Sequence, residues 1–220
     1  MQLLVEACIT SVEESLEAIQ AGAGRLELCS DLDVGGLTPP LDLVRAVRAA
    51  VHIPVHTMVR LRAGSYEVGT TDVADMQGHI REMVAAGVDG VVLGVLDHSD
   101  RIDTAALADL VSAAAPVSVT FHRAFDRVPD QLAGLDTLIG AGVSRVLTSG
   151  GAETAWSGRD NLRRLVRHAE GRITVLGGGG VRGDHAVQLL RHTGLKEVHA
   201  RGSAVPELVL ALEAISRSSR

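Results

Sequence analysis

The 220-residue sequence is poor in aromatic residues, cysteine and lysine. Aromatic side chains make up 2 % of the chain and hydrophobic residues 46 %, so a core must consist of Val, Leu, Ile and Ala, as in parallel sheets covered by helices. Only two cysteines are present, Cys8 and Cys29, and we expect a cytoplasmic protein in which both thiols are reduced. Lys196 is the one lysine, and it precedes a predicted strand. A Schiff-base enzyme needs a lysine in its active site, so that class is nearly excluded.

Basic charge and long apolar runs are also missing. The formal net charge is −6 and no basic stripe occurs, so we expect no nucleic-acid partner. No apolar run reaches the ~18 residues of a membrane span, so we expect no membrane association. The first residues, MQLLVEACITSVEE, lack a basic region and soon turn acidic, so we expect no signal peptide.

A glycine-rich turn stands out near the end of the sequence. An apolar run, Thr174–Leu176, stops at four glycines, and a helical pattern begins near Ala186. Strand, glycine turn and helix form the βα unit of a parallel α/β fold. Glycines let backbone N–H groups approach a ligand closely, and a helix N-terminus favours an anion. The stretch predicts either a tight turn without a ligand or an anion site, such as one for phosphate, at Gly178, Gly179 and Gly180.

Strand and helix patterns alternate along the whole chain. Predicted strands cover residues 3–8, 25–29, 54–60, 90–94, 117–122, 145–148, 174–176 and 197–200. Predicted helices cover residues 12–21, 39–51, 72–86, 104–114, 130–140, 159–169, the stretch after the glycine turn and 206–215, with Thr38 capping the second. Eight such units predict a single (β/α)8 TIM-barrel domain over residues 1–220. A doubly wound sheet is the alternative, but no GxGxxG motif follows the first strand.

Polar residues gather near the carboxyl ends of five predicted strands, where barrel enzymes keep their active sites. Residues two apart on a strand point to the same side. The residues that share a side are Glu6 with Cys8, Glu27 with Cys29, His56 with Arg60 and then Arg62, Thr120 with His122 and then Arg123, and Glu197 with His199. Any one of them fits a structural role, but together they predict a functional pocket.

The residue types in this pocket suit acid–base chemistry. Glu6 and Glu27 lie on neighbouring strands, ~5 Å apart by sheet spacing, so the pKa of one should be raised. Alternatively Arg60, Arg62 or Arg123 pairs with them, and the carboxylates are then scaffolding. The histidines that suit proton transfer near neutral pH are His56, His122 and His199.

Anion binding is the other chemistry that the predicted pocket offers. A phosphate would lie between the glycine turn and the loop 201–203, which ends at Ser203, and Arg60, Arg62 and Arg123 would bind further anionic groups. This predicts an enzyme of the lyase, isomerase or hydrolase type that acts on a small phosphorylated or otherwise anionic metabolite. No redox cofactor motif is present, and we expect no organic cofactor.

The same spacing brings the two thiols together. Cys8 and Cys29 each follow a glutamate by two residues on neighbouring strands, so they should approach within a few ångströms of each other. Two soft thiolates suit Cu(I), whereas a structural zinc site needs four ligands, which a histidine could help to complete. Two small buried residues that pack as hydrophobes are the remaining interpretation.

Several segments resemble one family in the same order along the chain. They are VEACITSVEESLEAIQAGAGRLELC, VGGLTPPLDLV, IPVHTMVRLRAGSY, VTFHRAFD, RVLTSGG, VLGGGGVR and EVHA, and they resemble the CutC family of copper homeostasis proteins over about residues 3–203. The sequence differs from the family pattern at Leu61 and Ala63, where Pro and Gly are usual. It also reaches its last helix directly after EVHARGSA, where family members commonly have a longer loop.

The resemblance implies a TIM barrel, a link to copper tolerance and Cu(I) binding by Cys8 and Cys29 near the barrel mouth. It also implies a homo-oligomer. The family's polar pocket maps onto Glu6, Glu27, His56, Arg60, Arg62, His122, Arg123, Asp126 and His199. We add Ser149 of RVLTSGG to the candidate ligand-binding residues.

Overall fold

Eight parallel strands close into a barrel in the computed structural model, which describes residues 3–218. The strands are β1 Leu4–Ile9, β2 Arg25–Leu28, β3 Val55–Met58, β4 Gly90–Leu93, β5 Ser118–Phe121, β6 Arg145–Thr148, β7 Thr174–Gly177 and β8 Glu197–Arg201. Each strand pairs with its neighbours in the sequence, and β8 closes on β1 in a register that sets Glu6 beside His199. The predicted TIM-barrel fold is therefore confirmed.

One helix follows each strand. The helices are α1 Val12–Gln20, α2 Leu41–Ala50, α3 Thr70–Ala85, α4 Thr104–Ala114, α5 Gln131–Gly140, α6 Arg159–Ala169, α7 Gly183–Thr193 and α8 Val205–Ser218. None of those within residues 3–218 is long and apolar enough to cross a membrane.

Thr38 does not cap the second helix as predicted. Helix α2 starts at Leu41 after Pro40, which offers no capping side chain. The Thr38 hydroxyl instead accepts a hydrogen bond from the Arg60 backbone N–H and donates one to the Arg60 carbonyl. Thr38 thus fixes the backbone of Arg60 directly after β3.

The apolar core lies between the barrel and its helices. Alternate strand residues such as Val5, Leu26, Val91 and Val146 are fully or almost fully buried in this layer. Aliphatic side chains cover the outer face of the strands, as the composition predicts for a chain with four aromatic residues.

The inside of the barrel holds charged residues at its amino end. Arg25 on β2 donates hydrogen bonds to Glu6 on β1 and to Glu197 on β8, and Arg145 on β6 also donates to Glu197. Because β2 and β6 are not neighbours of β8, these contacts run through the barrel interior. We call these four residues the charged layer.

Candidate functional site

A cavity of about 840 Å³ opens at the carboxyl ends of the strands. Loops after β2, β3, β5, β7 and β8 form its walls, as expected for the functional face of a TIM barrel. Most of the predicted site residues line it, namely Cys8, Glu27, Cys29, Arg60, His122, Arg123, Asp126, Gly179, Gly180, His199 and Ser203.

The floor of the cavity brings together two thiols, a carboxyl group and an imidazole. Cys8 and Cys29 lie with their Sγ atoms 3.8 Å apart, which confirms the predicted approach of the two thiols. The Cys29 Sγ is 3.5 Å from Glu27 Oε2, and His199 Nε2 is 3.6 Å from the same oxygen. One ligand atom each of Cys8, Glu27 and His199 lie within 4.8 Å of one another, which is a spacing that can hold a metal ion.

Charge is distributed unevenly over this floor. The hydrogen bond between Cys8 and Cys29 lowers the pKa of the Cys8 thiol to about 5, although burial acts in the opposite direction. Burial raises the pKa of Glu27 well above its usual range. Burial opposes a charge on His199 too, but the carboxyl groups of Glu27 and Glu6 and the Cys8 thiol outweigh it and raise the pKa of the imidazole well above its usual range. These shifts favour the charged forms of Cys8 and His199 and oppose a charge on Glu27.

Glu6 lies below the cavity floor. Its carboxylate is 2.8 Å from His199 Nδ1 and accepts a hydrogen bond from Arg25. Burial opposes its ionisation, but the hydrogen bond with His199 and the charge of Arg25 hold the pKa of Glu6 far below its usual range. Glu6 therefore orients His199, in the way that a carboxylate behind a ligating histidine does.

One of the two glutamates has a raised pKa, as the sequence predicts, but for another main reason. Glu27 stands opposite Cys8 in the strand register and not opposite Glu6. Burial is the largest cause of its raised pKa, and the charge of Glu6 is a smaller one. Within the part of the chain that the structure describes, none of the three predicted arginines pairs with either glutamate, and Arg25 pairs with Glu6.

The remaining predicted site residues lie outside the cavity lining. His56 is buried deeper in the barrel, with Nε2 3.4 Å from the Ser118 hydroxyl. Arg62 is exposed and forms two hydrogen bonds with Asp72. A Cβ at Gly178 would lie 2.5 Å from Leu147 and 3.3 Å from His199, so this glycine makes room for interior side chains.

Asp126 and Ser149 organise the loop after β6. The Asp126 carboxylate accepts hydrogen bonds from the backbone N–H groups of Ser149 and Gly151 and from the Thr148 hydroxyl, and it also pairs with Arg123. Arg123 in turn donates to the Ser149 hydroxyl at 2.9 Å. With its oxygens so engaged, Asp126 holds Arg123 beside Ser149.

The glycine turn after β7 stands next to Arg123. Gly179 has a φ of +97°, and a Cβ there would lie 3.3 Å from the Arg123 Cζ. Gly180 also has a positive φ, so the turn requires glycine at both positions. Arg123 and the two glycines form the side of the cavity nearest the start of α7.

Comparisons with known proteins identify the family. The sequence profile of the CutC family matches residues 3–204. The chain belongs to the CutC family. It is 41 % identical over 196 residues to the mouse copper homeostasis protein cutC homolog, which covers 89 % of this chain and 72 % of the mouse protein. It is 40 % identical over 195 residues to a CutC family protein of Histophilus somni, which covers 89 % of this chain and 80 % of that protein.

A solved CutC structure agrees with this membership. The CutC crystal structure from Streptococcus agalactiae superposes with a TM-score of 0.86 at 31 % identity, and the match covers 90 % of this chain and 98 % of that one. A thiamine phosphate pyrophosphorylase from Pyrococcus furiosus superposes with a TM-score of 0.67 at 16 % identity, over 97 % of this chain and 96 % of the other. The second likeness shows the fold alone.

Two residues beside the CutC site do not follow from the motifs. Arg25, the partner of Glu6, shares a strand side with Glu27 and Cys29, so the alternation of β2 contains the signal that would have revealed it. Tyr66 lines the cavity from the loop after β3, where no strand register predicts the direction of a side chain.

Proposed function

We propose that this CutC protein binds Cu(I) in the cytoplasm, as part of copper homeostasis, through Cys8 and Cys29 near the barrel mouth. The observation that supports this most is the soft donor set at the cavity floor, where two thiols lie 3.8 Å apart beside His199. Thiolate sulfur is the ligand type that Cu(I) prefers. The relatives named copper homeostasis proteins support copper as the metal.

The spacing of the two sulfurs suits one shared ion. If each metal–sulfur bond is about 2.3 Å, as for zinc thiolates, two sulfurs on one ion are roughly 3.8 to 4.6 Å apart. The observed distance lies at the short end of this range, which leaves a third position for His199 or Glu27. The buried Oε1 atom of Glu27 has no hydrogen-bond partner, so this carboxyl group has an oxygen to spare for the ion.

An anaerobic Cu(I) titration against a competing chelator tests the proposal. We expect tight binding near one ion per chain in the wild type and loss of this binding in Cys8→Ser/Cys29→Ser. The single variants rank the ligands. Cys8→Ser should cost more affinity than Cys29→Ser, because Cys8 belongs to the group with Glu27 and His199.

The control for this titration is Arg62→Gln, which removes a charge from the same barrel face but outside the cavity. Its affinity for Cu(I) should equal that of the wild type. Unchanged binding in the double cysteine variant, with the fold intact by circular dichroism, would rule out the cysteine ligands.

We propose as a second function that the cavity binds a small anionic molecule, as an enzyme of small metabolites would. The cavity is far larger than a metal ion requires, and it is lined by five arginines: Arg60, Arg123, Arg127, Arg182 and Arg201. Arg123 beside the Gly179–Gly180 turn supports a phosphate position there. A homo-oligomer, implied by the family resemblance, stays a prediction.

Calorimetric titration with inorganic phosphate tests the second function. We expect phosphate to bind the wild type and to bind Arg123→Gln about tenfold more weakly, since a lost charged hydrogen bond costs roughly 1.5 kcal/mol or more. Equal affinities would remove Arg123 and the glycine turn from the site.

A further inference from the structure

Arg60 is a buried cation without a counter-ion. Its side chain is 8 % exposed, and its Nη1 group donates hydrogen bonds to the carbonyls of Val34 and Gly36 at 3.0 and 3.3 Å. Among residues 3–218 no carboxylate lies within ion-pairing distance of it, and its buried Nε has no hydrogen-bond partner. The unused Nε and Nη2 groups form the edge of a guanidinium that binds a carboxylate through two parallel hydrogen bonds.

His122 offers a second unused donor. It is 4 % exposed, and its Nδ1 accepts a hydrogen bond from the Ala124 backbone N–H at 3.2 Å. In a neutral ring the proton is therefore on Nε2, and this buried atom has no partner. Burial, with the nearby charge of Arg60, lowers the pKa of His122 to about 3, so the ring is neutral at physiological pH.

Tyr66 joins these two groups on one wall of the cavity. The Arg60 Cζ lies 4.9 Å from the centre of the Tyr66 ring, and the His122 ring centre lies 5.1 Å from it. All three residues line the same cavity. The unpartnered Arg60 Nε and His122 Nε2 atoms are covered by protein, so a ligand reaches them only if a side chain moves. Tyr66 contacts both residues and lies in a loop without regular secondary structure.

We propose that Arg60 and His122 bind a carboxylate group of a small molecule in the cavity, with Tyr66 packed against the bound group. Arg60 supplies a planar guanidinium edge and His122 one neutral N–H donor, and this set suits a planar carboxylate group. Arg127, which also lies over the Tyr66 ring, is already paired with Asp100. The proposal rests on the second function above and deepens it, because it names the chemical group that this wall recognises. It is independent of copper, whose proposed ligands lie on the cavity floor.

Malonate and inorganic phosphate are the two probes for calorimetry on the full-length protein. We expect Arg60→Gln to weaken malonate binding by about tenfold or more and His122→Phe by about fivefold, in line with the loss of charged and neutral hydrogen bonds. His122→Gln, which restores an N–H donor, should recover part of the loss. Arg62→Gln is the matched control and should change affinity by less than about twofold, because Arg62 is exposed and paired with Asp72.

Nitrogen-15 NMR gives a readout that is independent of affinity. The His122 side chain should appear as the neutral ring with its proton on Nε2. The signals of the His122 ring and of the Arg60 Nε–H should shift when malonate is added. The Nε–H signal of Arg48, which pairs with Asp89 near the amino end of β3, should not shift. A protonated ring, or unmoved signals at saturating malonate, contradicts the proposal.

Each pattern of binding has a separate meaning. Phosphate binding that depends on Arg123, together with malonate binding that ignores Arg60 and His122, overturns the carboxylate site and leaves the second function standing. Failure of both probes to bind the wild type overturns both proposals. If Arg60→Gln weakens phosphate binding more than malonate binding, this wall selects phosphate. That result also overturns the carboxylate assignment.

Discussion

Two histidines inside the barrel hold their protons in opposite ways because their neighbours differ. His199 has a carboxylate at 2.8 Å and a second carboxyl group at 3.6 Å, and its pKa is raised. His56 has a serine hydroxyl at 3.4 Å, and burial lowers its pKa to about 4. Both rings are buried, so the carboxyl groups beside His199, which His56 lacks at contact distance, account for the opposite shifts of the two pKa values.

The lowered pKa of His56 makes folding stability depend on pH. In the unfolded chain His56 takes up a proton near pH 6.5, whereas in the folded protein it does so only near pH 4. The contribution of the neutral His56 to folding stability is therefore present above pH 6.5 and is lost as the pH falls towards 4. We expect His56→Gln to flatten the fall in unfolding free energy between about pH 6.5 and 4, by roughly 3 kcal/mol. Urea denaturation across this range measures it.

His52 provides the control for this measurement, because it is an exposed histidine just before the same strand. His52→Gln should leave the pH dependence of the wild type unchanged. A His56→Gln curve parallel to that of the wild type would mean that His56 takes up its proton at the same pH in the folded and the unfolded protein.

At the scale of elements, the loops after β5 and β6 act as one unit because Asp126 connects them. A single carboxylate accepts hydrogen bonds from Thr148, Ser149 and Gly151. In Asp126→Asn one oxygen becomes an N–H donor that faces other donors, and the unfolding free energy should fall by about 1 to 3 kcal/mol. Chemical denaturation gives this value, and hydrogen exchange should rise in residues 149–158.

Asp136→Asn is the matched control for this substitution. Asp136 lies on a helix and pairs with His168 at the surface, so its replacement should change stability by less than about 1 kcal/mol. If exchange rises along the whole chain in Asp126→Asn, the effect is global and the two loops are not a separate unit.

The elements themselves were more predictable than the loops. Periodicity and glycine ends located all eight strands and helices, with most boundaries within a few residues. The sequence prediction failed at Thr38, because a threonine before two prolines is typical of a helix N-cap. The Thr38 hydroxyl instead forms hydrogen bonds with the backbone of Arg60, 22 residues away in the sequence. Such a contact depends on how loops meet, which local pattern does not contain.

At the scale of the whole molecule, the charged layer replaces the aliphatic filling usual inside a TIM barrel. Arg25 is 2 % exposed and lies between Glu6 and Glu197. Removal of one partner leaves buried charges uncompensated, so Arg25→Met should lower the unfolding free energy by about 3 to 5 kcal/mol. Guanidinium denaturation measures the change.

The partly exposed pair of Arg48 with Asp89 supplies the comparison for this variant. Arg48→Met should cost about 1 kcal/mol or less, as ion pairs near the surface do. If Arg25→Met costs no more than Arg48→Met, the charged layer contributes little to the stability of the barrel.

The cavity followed from the sequence because strand alternation determines which residues share the barrel interior. Glu27, Cys8, Cys29 and His199 met as predicted. Arg62 did not join them, since it lies four residues past the end of β3, where alternation no longer determines direction and Asp72 is within reach. Among the predicted loop residues the outcome was mixed, because Arg123, Gly179 and Ser203 line the cavity whereas Arg62 turns away from it.

Lys196 is exposed and lies immediately before β8, at the end of the barrel opposite the cavity. Its ε-amino group is the only lysine amine in the sequence. Amine coupling through this side chain would attach the protein to a sensor surface by the amino ends of its strands, with the cavity facing the flow of analyte. The near-absence of lysine thus makes the molecule suited to oriented immobilisation without an added tag.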